Sequence, residues 1–270
     1  MSVTDLRVVD LTAKPGGNAK PVTPAKTARA TVSLQPQRTA GGVSVSLQPG
    51  TSVRVQRSLA DICIVFDTTG SMSDKIDGLV SCMSAFVDHL GQLSLDWRMS
   101  VLPFGDLTIP GDRVELQWPF VQTVDQAKQQ LRQMPRFAGG GNDGESSVEA
   151  VLGATGKPWR RGAVRVAVLL TDEPALGAGR SQQVLAKLHS AEIVTFVASP
   201  AHSYYQSWAA RTGGKWVLIG QSMDTNALLK LLRGLVSDVA KAAAEVHAIA
   251  GGSYKKYLEI TSGNRTPKKR

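Results

Sequence analysis

An apolar run that ends in a polar, glycine-containing loop lies at residues 61–72, DICIVFDTTGSM. Positions 62–66 have the continuous apolar character of a short strand that is buried on both faces of a parallel sheet. The loop follows this strand directly, and a helical pattern begins at Met72. Because ligands bind beyond the carboxyl ends of the strands in open α/β sheets, this segment predicts a ligand site at the end of the first core strand.

Apolar runs alternate with helix-period segments along the middle of the chain. This alternation predicts βαβ units that build an α/β, doubly wound, mostly parallel, Rossmann-like sheet. The predicted strands are 62–66, 98–104, 115–120, 164–171, 193–198 and 216–219. The predicted helices are 72–90, 124–134, 145–154, 181–190 and 204–212. With 270 residues, of which 42% are hydrophobic, the chain can form one such core, predicted at 58–220, with smaller extensions.

The segments on either side of this core have patterns of their own. Residues 1–30 contain few large apolar side chains and are predicted to be a flexible basic segment. Residues 31–57 predict a β-hairpin extension, because apolar and polar residues alternate on both sides of Pro49 and Gly50, which suit a type II turn. Residues 221–250 predict a C-terminal helix, amphipathic over 225–247, and residues 251–270 predict a basic tail with a short strand at 256–260.

The basic residues are concentrated at the two ends of the chain. The net charge is +9, and residues 1–60 hold eight Lys and Arg against two acids, while residues 251–270 hold six against one. Residues 61–250 are slightly acidic, with 17 basic and 19 acidic side chains. A preference for anionic partners such as nucleic acid is therefore expected of the ends and not of the core.

Apolar segments of the kind that cross membranes or direct secretion are absent from the sequence. No run reaches about 18 apolar residues, and the first residues lack the apolar region of a signal peptide. Cys63 lies in an apolar run and Cys82 in a helical pattern, as is typical of buried free thiols in a reducing compartment. We therefore expect a cytoplasmic protein without a membrane-spanning segment.

Oxygen-bearing side chains follow two of the predicted strands. Asp67, Thr69 and Ser71 alternate through the first loop, so their oxygens can face a common point, and Gly70 permits the tight bend between them. Asp172 follows the strand predicted at 164–171 in the same way. Two carboxylates at neighbouring strand ends repel each other unless a cation lies between them. Individually, Asp67 and Ser71 also suit helix N-caps, and Asp172 suits a helix-entry turn.

A third loop, AGGGNDGESS at 138–147, precedes the helix predicted at 145–154. Its glycines allow a close approach to the other two loops, and Asn142 and Asp143 are its candidate ligands. Hydroxyl and carboxylate oxygens, completed by water, are what Mg²⁺ prefers, and Mn²⁺ or Ca²⁺ are the alternatives. Three separate loops are thus expected to converge on one metal site.

The motif DTTGSM resembles the DxSxS or DxTxS metal-ion-dependent adhesion site (MIDAS) of von Willebrand factor A domains, and LLTDEP resembles their later strand-end Asp. The resemblance spans about residues 58–220. It implies that Asp67, Thr69, Ser71 and Asp172 surround the ion, with hydroxyls binding directly and acids often through water. Many members supply a Thr from the middle loop. The resemblance assigns that role here to Asp143, or to Asn142 if the loop is shifted by one residue.

The resemblance implies a metal-dependent protein–protein interaction module, a scaffold or adaptor that binds an acidic residue of a partner protein through the ion. Enzymatic signatures do not accompany it, since neither GxxxxGK[ST], GxGxxG nor GxSxG is present. Thr69 stands where phosphatases of the DxDx[TV] kind carry their second Asp. The four His residues have no partners at zinc-ligand spacing. We therefore expect that the protein is not an enzyme.

The two ends of the chain leave alternatives open. The segment VSLQPGTSVRV at 45–55 resembles the opening strands of bacterial tellurite-resistance (Ter) stress proteins, which implies a stress-response or defence system. Alternatively, the hairpin only extends or covers an edge of the sheet. The basic tail, ending in Lys268, Lys269 and Arg270, is either a solvated end or a nucleic-acid contact. In the second case the protein is nucleic-acid-associated, and the core serves as a platform.

Overall fold

The computed structural model describes residues 37–39, 42–44, 58–92, 95–140, 144–219 and 253–263, together with single helical positions at 234, 237–238, 241–242 and 245–246. The chain forms two compact units, Met1–Gln56 and Arg57–Arg270. In the first unit, β1 (Gln37–Thr39) pairs antiparallel with β2 (Gly42–Ser44). The hairpin turn predicted at Pro49 and Gly50 and the segment 1–30 lie outside the described residues.

The described residues of the second unit are built on a five-stranded, all-parallel sheet. Its strands are β3 (Ser58–Asp67), β4 (Leu95–Phe104), β5 (Val164–Leu170), β6 (Ile193–Ser199) and β7 (Trp216–Leu218). The strand order is β4-β3-β5-β6-β7, so the chain leaves β3 to one side for β4 and returns to the other side for β5. The order therefore reverses at β3, which is where open α/β sheets form their ligand crevice.

Helices cover both faces of this sheet, as predicted. They are α1 (Ser73–Gln92), α2 (Val124–Gln133), α3 (Ser147–Thr155), α4 (Ser181–Ser190), α5 (Ser203–Arg211) and α6 (Tyr254–Gly263). Side chains of β3 alternate between the faces: Ile64 packs in a core with residues of α1, α2 and α6, and Val65 in a core with residues of α3, α4 and α5. The doubly wound α/β architecture is thereby confirmed.

The strand predicted at 115–120 is wrong. This segment runs beside β4 but joins it only through isolated antiparallel bridges at Phe104↔Val114 and Met99↔Val121. Pro119 has no N–H to donate to a ladder. The carbonyl groups of the segment instead accept side-chain donors, as Trp118 O does from Lys157 Nζ at 2.6 Å and from Ser100 Oγ at 2.9 Å.

The strand predicted at 256–260 is also wrong, because this part of the predicted basic tail belongs to α6. Tyr254 and Tyr257, three positions apart, are both buried in the core on one side of the sheet, with Leu258 packed beside them. The Tyr257 hydroxyl donates to Gly213 O at 3.2 Å. The spacing is therefore helical rather than alternating.

Most of the helix predicted at 225–247 lies outside the described residues, and its described positions are helical.

None of the helices in the described ranges is long and apolar enough to cross a membrane. Cys63 and Cys82 are buried free thiols.

Candidate metal centre

Asp67, the last residue of β3, lies at the centre of the crevice with its side chain fully buried. Its Oδ1 accepts hydrogen bonds from the N–H of Thr69 at 3.1 Å and from Thr69 Oγ1 at 2.6 Å. Its Oδ2 accepts one from Thr171 Oγ1 at 2.6 Å. Burial raises the pKa of Asp67 from its ordinary value of 3.8 to about 6, against the lowering effect of these hydrogen bonds and together with the negative charge of Asp172.

Two hydroxyl groups connect Asp67 to Asp172. Thr69 Oγ1 lies 3.2 Å from Ser71 Oγ, and Ser71 Oγ donates to Asp172 Oδ1 at 3.0 Å. The structure thus brings together four of the five residues predicted to hold the ion. Both carboxylates are buried, whereas Ser71 is exposed, so the group opens to solvent at Ser71.

The hydrogen bonds do not favour the simple capping interpretations of these residues. The hydrogen bond from the Thr69 N–H to Asp67 is a local contact within the loop, between residues two positions apart. It lies before the 3-10 turn Gly70–Met72. Ser71 lies within that turn, and its hydroxyl contacts Thr69 and Asp172 across the crevice. Both side chains therefore organise the crevice rather than the start of α1.

The middle loop is only partly described, because Asn142 and Asp143, its two predicted ligand candidates, lie outside the described residues. Its described end is fixed to the loop that follows β5: Glu145 N–H donates to Pro174 O at 2.9 Å, and Leu176 N–H donates to Glu145 O at 2.8 Å. Two backbone hydrogen bonds therefore join the middle loop to the loop that contains Asp172.

Glu145 is a functional candidate that sequence reasoning missed. It is 4% exposed, and a Cβ placed on Gly139 would stand 3.0 Å from both Glu145 Oε1 and the Cβ of Thr69. The carboxylate thus lies beside Thr69, and its Oε2 has no hydrogen-bond partner among the described residues. Burial, together with the charges of Asp67, Asp106 and Asp112, raises the pKa of Glu145 to about 8, against the lowering effect of the hydrogen bond from the Gly140 N–H.

Lys75 supplies a cation that sequence reasoning also missed. Its Nζ donates to Asp172 Oδ2 at 2.9 Å and to Ser71 O at 3.1 Å, and the Lys75 and Asp172 side chains are 4% and 0% exposed. Asp172 therefore has a cationic partner from the chain itself, in addition to any ion that the sequence predicts between Asp67 and Asp172. A signal was present in the sequence, because a lysine in the first turn of a helix opposes the helix dipole and needs an anionic partner.

The donor set suits a hard divalent cation. Within the described ranges, no three His, Cys, Asp or Glu side chains are arranged as a metal cluster, so an ion here depends on hydroxyl oxygens as well as acids. Thr69 and Ser71 provide these hydroxyls between two carboxylates, and Glu145 adds a buried oxygen that accepts no hydrogen bond from the described residues. Such oxygen ligands, completed by water, fit Mg²⁺, Mn²⁺ or Ca²⁺.

This fold and crevice define a known class of protein. Residues 61–212 match the von Willebrand factor type A domain, and since the match covers more than half of the chain, the chain belongs to this family. A comparison with curated protein sequences gives no match.

Several solved structures have a similar fold. Two are of proximal thread matrix protein 1 from the mussel byssus, 16% identical over 67% of this chain and 45% of that chain, with TM-scores of 0.51 and 0.53; the second is described as having a zinc-occupied MIDAS motif. Another is a von Willebrand factor type A protein from Catenulispora acidiphila, 14% identical over 73% of this chain and 44% of that chain, with a TM-score of 0.52. This chain spans less than half the length of these proteins, and the likeness concerns the fold.

Gly139 provides a direct test of the crevice. We expect Gly139→Ala to abolish stabilisation by Mg²⁺, because the new Cβ would stand 3.0 Å from Glu145 Oε1 and from Thr69 Cβ. The matched control is Gly162→Ala, since Gly162 has the same positive φ (76° against 75°) but nothing within 4 Å of its added Cβ. Each should cost about 1 kcal/mol of backbone strain, measured by urea unfolding in EDTA. Equal Mg²⁺ responses in the two variants would contradict the assignment of this crevice.

Proposed function

We propose that this von Willebrand factor A domain holds a divalent cation, Mg²⁺ or alternatively Mn²⁺ or Ca²⁺, at a MIDAS-type site and uses it to bind an acidic residue of a partner protein. The observation that carries the proposal is the continuous hydrogen-bonded chain Asp67–Thr69–Ser71–Asp172 across the switch point of the sheet. The family membership supports it, as does the zinc-occupied MIDAS motif of the mussel protein.

The hydroxyl and carboxylate groups of the site would have different roles in holding the ion. The Thr69 and Ser71 hydroxyls would bind it directly, and the Asp67 and Asp172 carboxylates, hydrogen-bonded to those hydroxyls, would neutralise its charge. Asp143 is proposed as the middle-loop ligand, with Asn142 as its alternative, and Glu145 would supply a further carboxyl oxygen from the same loop. When bound, the ion supplies a positive centre that accepts an outside carboxylate.

The surroundings of the site indicate the kind of acidic segment that fits. Leu107, in the loop after β4, is 49% exposed, and its N–H donates to Ser146 Oγ at 2.9 Å, beside Glu145. An exposed apolar side chain thus lies at the same edge of the sheet as the proposed ion. A partner segment that places an apolar residue near its acidic residue would use both contacts, since aromatic and aliphatic anchors contribute most of the affinity at interfaces.

Binding rather than catalysis is the role that we propose for this site. The buried acids of the crevice already accept hydrogen bonds from their neighbours: Asp67 from two hydroxyls and an N–H, and Asp172 from Ser71 and Lys75.

A cytoplasmic role in a bacterial stress-response system stays a prediction, since the Ter-like segment 45–55 lies outside the described residues. The nucleic-acid alternative stays one as well, because most of the basic residues at the two ends are not described.

Mg²⁺ is expected to stabilise the protein in a dose-dependent way, because a ligand that binds only the folded state raises its stability by mass action. At a concentration of 100 times the dissociation constant, the gain is about 2.7 kcal/mol. Ser71→Ala should remove this gain, whereas Ser84→Ala in α1, whose hydroxyl donates to Val80 O, should keep it. Thermal melts over a Mg²⁺ series measure the effect, and coincident melts of wild type at all concentrations would reject the metal site.

Partner capture then tests the second half of the proposal. Immobilised wild-type protein is incubated with host extract in Mg²⁺ or in EDTA, and over a series of salt concentrations. The proposal predicts binding that EDTA and Ser71→Ala both abolish. Binding that survives EDTA but falls log-linearly with salt would instead support the nucleic-acid alternative.

A further inference from the structure

Lys75 places a buried positive charge inside the candidate metal centre. Its ammonium group bridges two parts of the site, the Asp172 carboxylate at 2.9 Å and the backbone oxygen of Ser71 at 3.1 Å. The side chains of Lys75 and Asp172 are almost completely shielded from solvent. The pair is therefore part of the site itself and not a surface ion pair.

The position of Lys75 is unfavourable for a lysine in two respects. It lies in the first turn of α1, where the helix dipole disfavours positive charge. Its head group is also buried, which is costly for an ammonium unless the group is paired and hydrogen-bonded. The contacts with Asp172 and Ser71 offset both costs, so the ammonium is held where it is by the same atoms that would surround an ion.

We propose that Lys75 is an internal counter-cation, which neutralises Asp172 when no divalent ion is bound and competes with the ion for that carboxylate. The inference rests on the proposed metal-binding function and adds a residue that regulates the affinity for the ion. Asp172 Oδ1 accepts from the Ser71 hydroxyl, and Oδ2 accepts from Lys75. An ion that binds Ser71 and shares Asp172 therefore meets a positive charge a few ångströms away, which opposes it by Coulomb repulsion.

Two consequences follow from this competition. The ion-free domain remains folded, because Asp172 keeps an ionic partner. At the ion-loaded site, the Lys75 ammonium offsets part of the negative charge that Asp67, Asp172 and the proposed middle-loop ligand place around the ion. Metal binding is thus weakened, while the loaded site retains its attraction for an outside carboxylate.

Mn²⁺ titration of the full chain tests the proposal, with dissociation constants measured by calorimetry and by the electron paramagnetic resonance of free Mn²⁺. Lys75→Met is expected to bind Mn²⁺ at least about tenfold more tightly than wild type, since a repelling unit charge is removed. In EDTA the same variant should unfold at a lower urea concentration than wild type, and saturating Mn²⁺ should close or reverse that difference. Lys128→Met is the matched control, since Lys128 pairs with Asp88 between α1 and α2, and its Mn²⁺ affinity should equal that of wild type.

Each result separates this inference from the proposed function. If neither wild type nor Lys75→Met binds Mn²⁺, the metal site itself is rejected, and the inference with it. If wild type binds Mn²⁺ and Lys75→Met binds it equally or more weakly, only the role of Lys75 is overturned. A Lys75→Met protein that is unfolded in EDTA and refolds with Mn²⁺ supports the inference. If it stays unfolded with Mn²⁺, Lys75→Gln, which keeps a hydrogen-bond donor without the charge, is titrated under the same criteria.

Discussion

In EDTA, Asp172→Ala is expected to lower the free energy of unfolding by about 3–5 kcal/mol, the cost of leaving a buried charge without its partner. The group that loses its partner at 2.9 Å is the Lys75 ammonium, and the Ser71 hydroxyl loses its acceptor as well. The change is measured as a shift of the urea midpoint, with the dependence of the unfolding free energy on urea concentration unchanged. From the sequence alone, the opposite result is expected, since removing one of two neighbouring acids relieves repulsion.

Asp67→Ala provides the comparison, because its loss of unfolding free energy in EDTA is measured in the same way. In the described part of the chain, Asp67 is held by hydroxyls and an N–H rather than by an ammonium, so its removal costs about 1–3 kcal/mol in unsatisfied donors. Burial raises the pKa of Asp67 to about 6, against the lowering effect of these hydrogen bonds. Asp172→Ala should therefore be the more destabilising of the two. The reverse order, or a gain of stability in both variants, would show that the Lys75–Asp172 pair does not matter.

The backbone of the site was predictable from the sequence because it depends on local rules. A continuous apolar run predicts a strand buried on both faces, and parallel strands end at the same edge of a sheet. These two rules place Asp67 and Asp172 together without any knowledge of side-chain packing, and the pairing of Phe66 with Leu170 shows the two strand ends side by side.

The polar residues that complete the site were not predictable in the same way. Lys75 reaches Asp172 because a long, flexible side chain on α1 folds back over the sheet edge, and no periodicity specifies its direction. Glu145 was passed over because an acid just before a helix is ordinary. Its significance comes from burial beside Gly139, which depends on tertiary packing. The strand predicted at 115–120 is wrong for a related reason, because the Trp118 carbonyl of this segment accepts from the side chains of Lys157 and Ser100 rather than from the backbone of a neighbouring strand.

At the opposite, amino-terminal half of β3, Asp61→Ala is expected to cost about 3–5 kcal/mol, again because a buried ion pair loses one partner. Asp61 is fully buried, and its two oxygens accept from Arg98 Nε at 3.0 Å and Nη2 at 2.5 Å, and from Arg160 Nε at 2.8 Å and N–H at 2.7 Å. One carboxylate thereby ties β3 to β4 and to the segment that leads into β5.

The matched control is Asp88→Ala, which removes a half-exposed partner of Lys128 and should cost at most about 1 kcal/mol. Asp61 lies six residues before Asp67 along an extended strand, so its loss should lower the urea midpoint while leaving Mn²⁺ affinity unchanged. A fall in Mn²⁺ affinity in folded Asp61→Ala would mean that the two ends of β3 are coupled. An unchanged midpoint would mean that the two arginines find other partners. Only a loss of stability without a loss of metal binding fits a carboxylate that supports the sheet from the edge opposite the proposed ion.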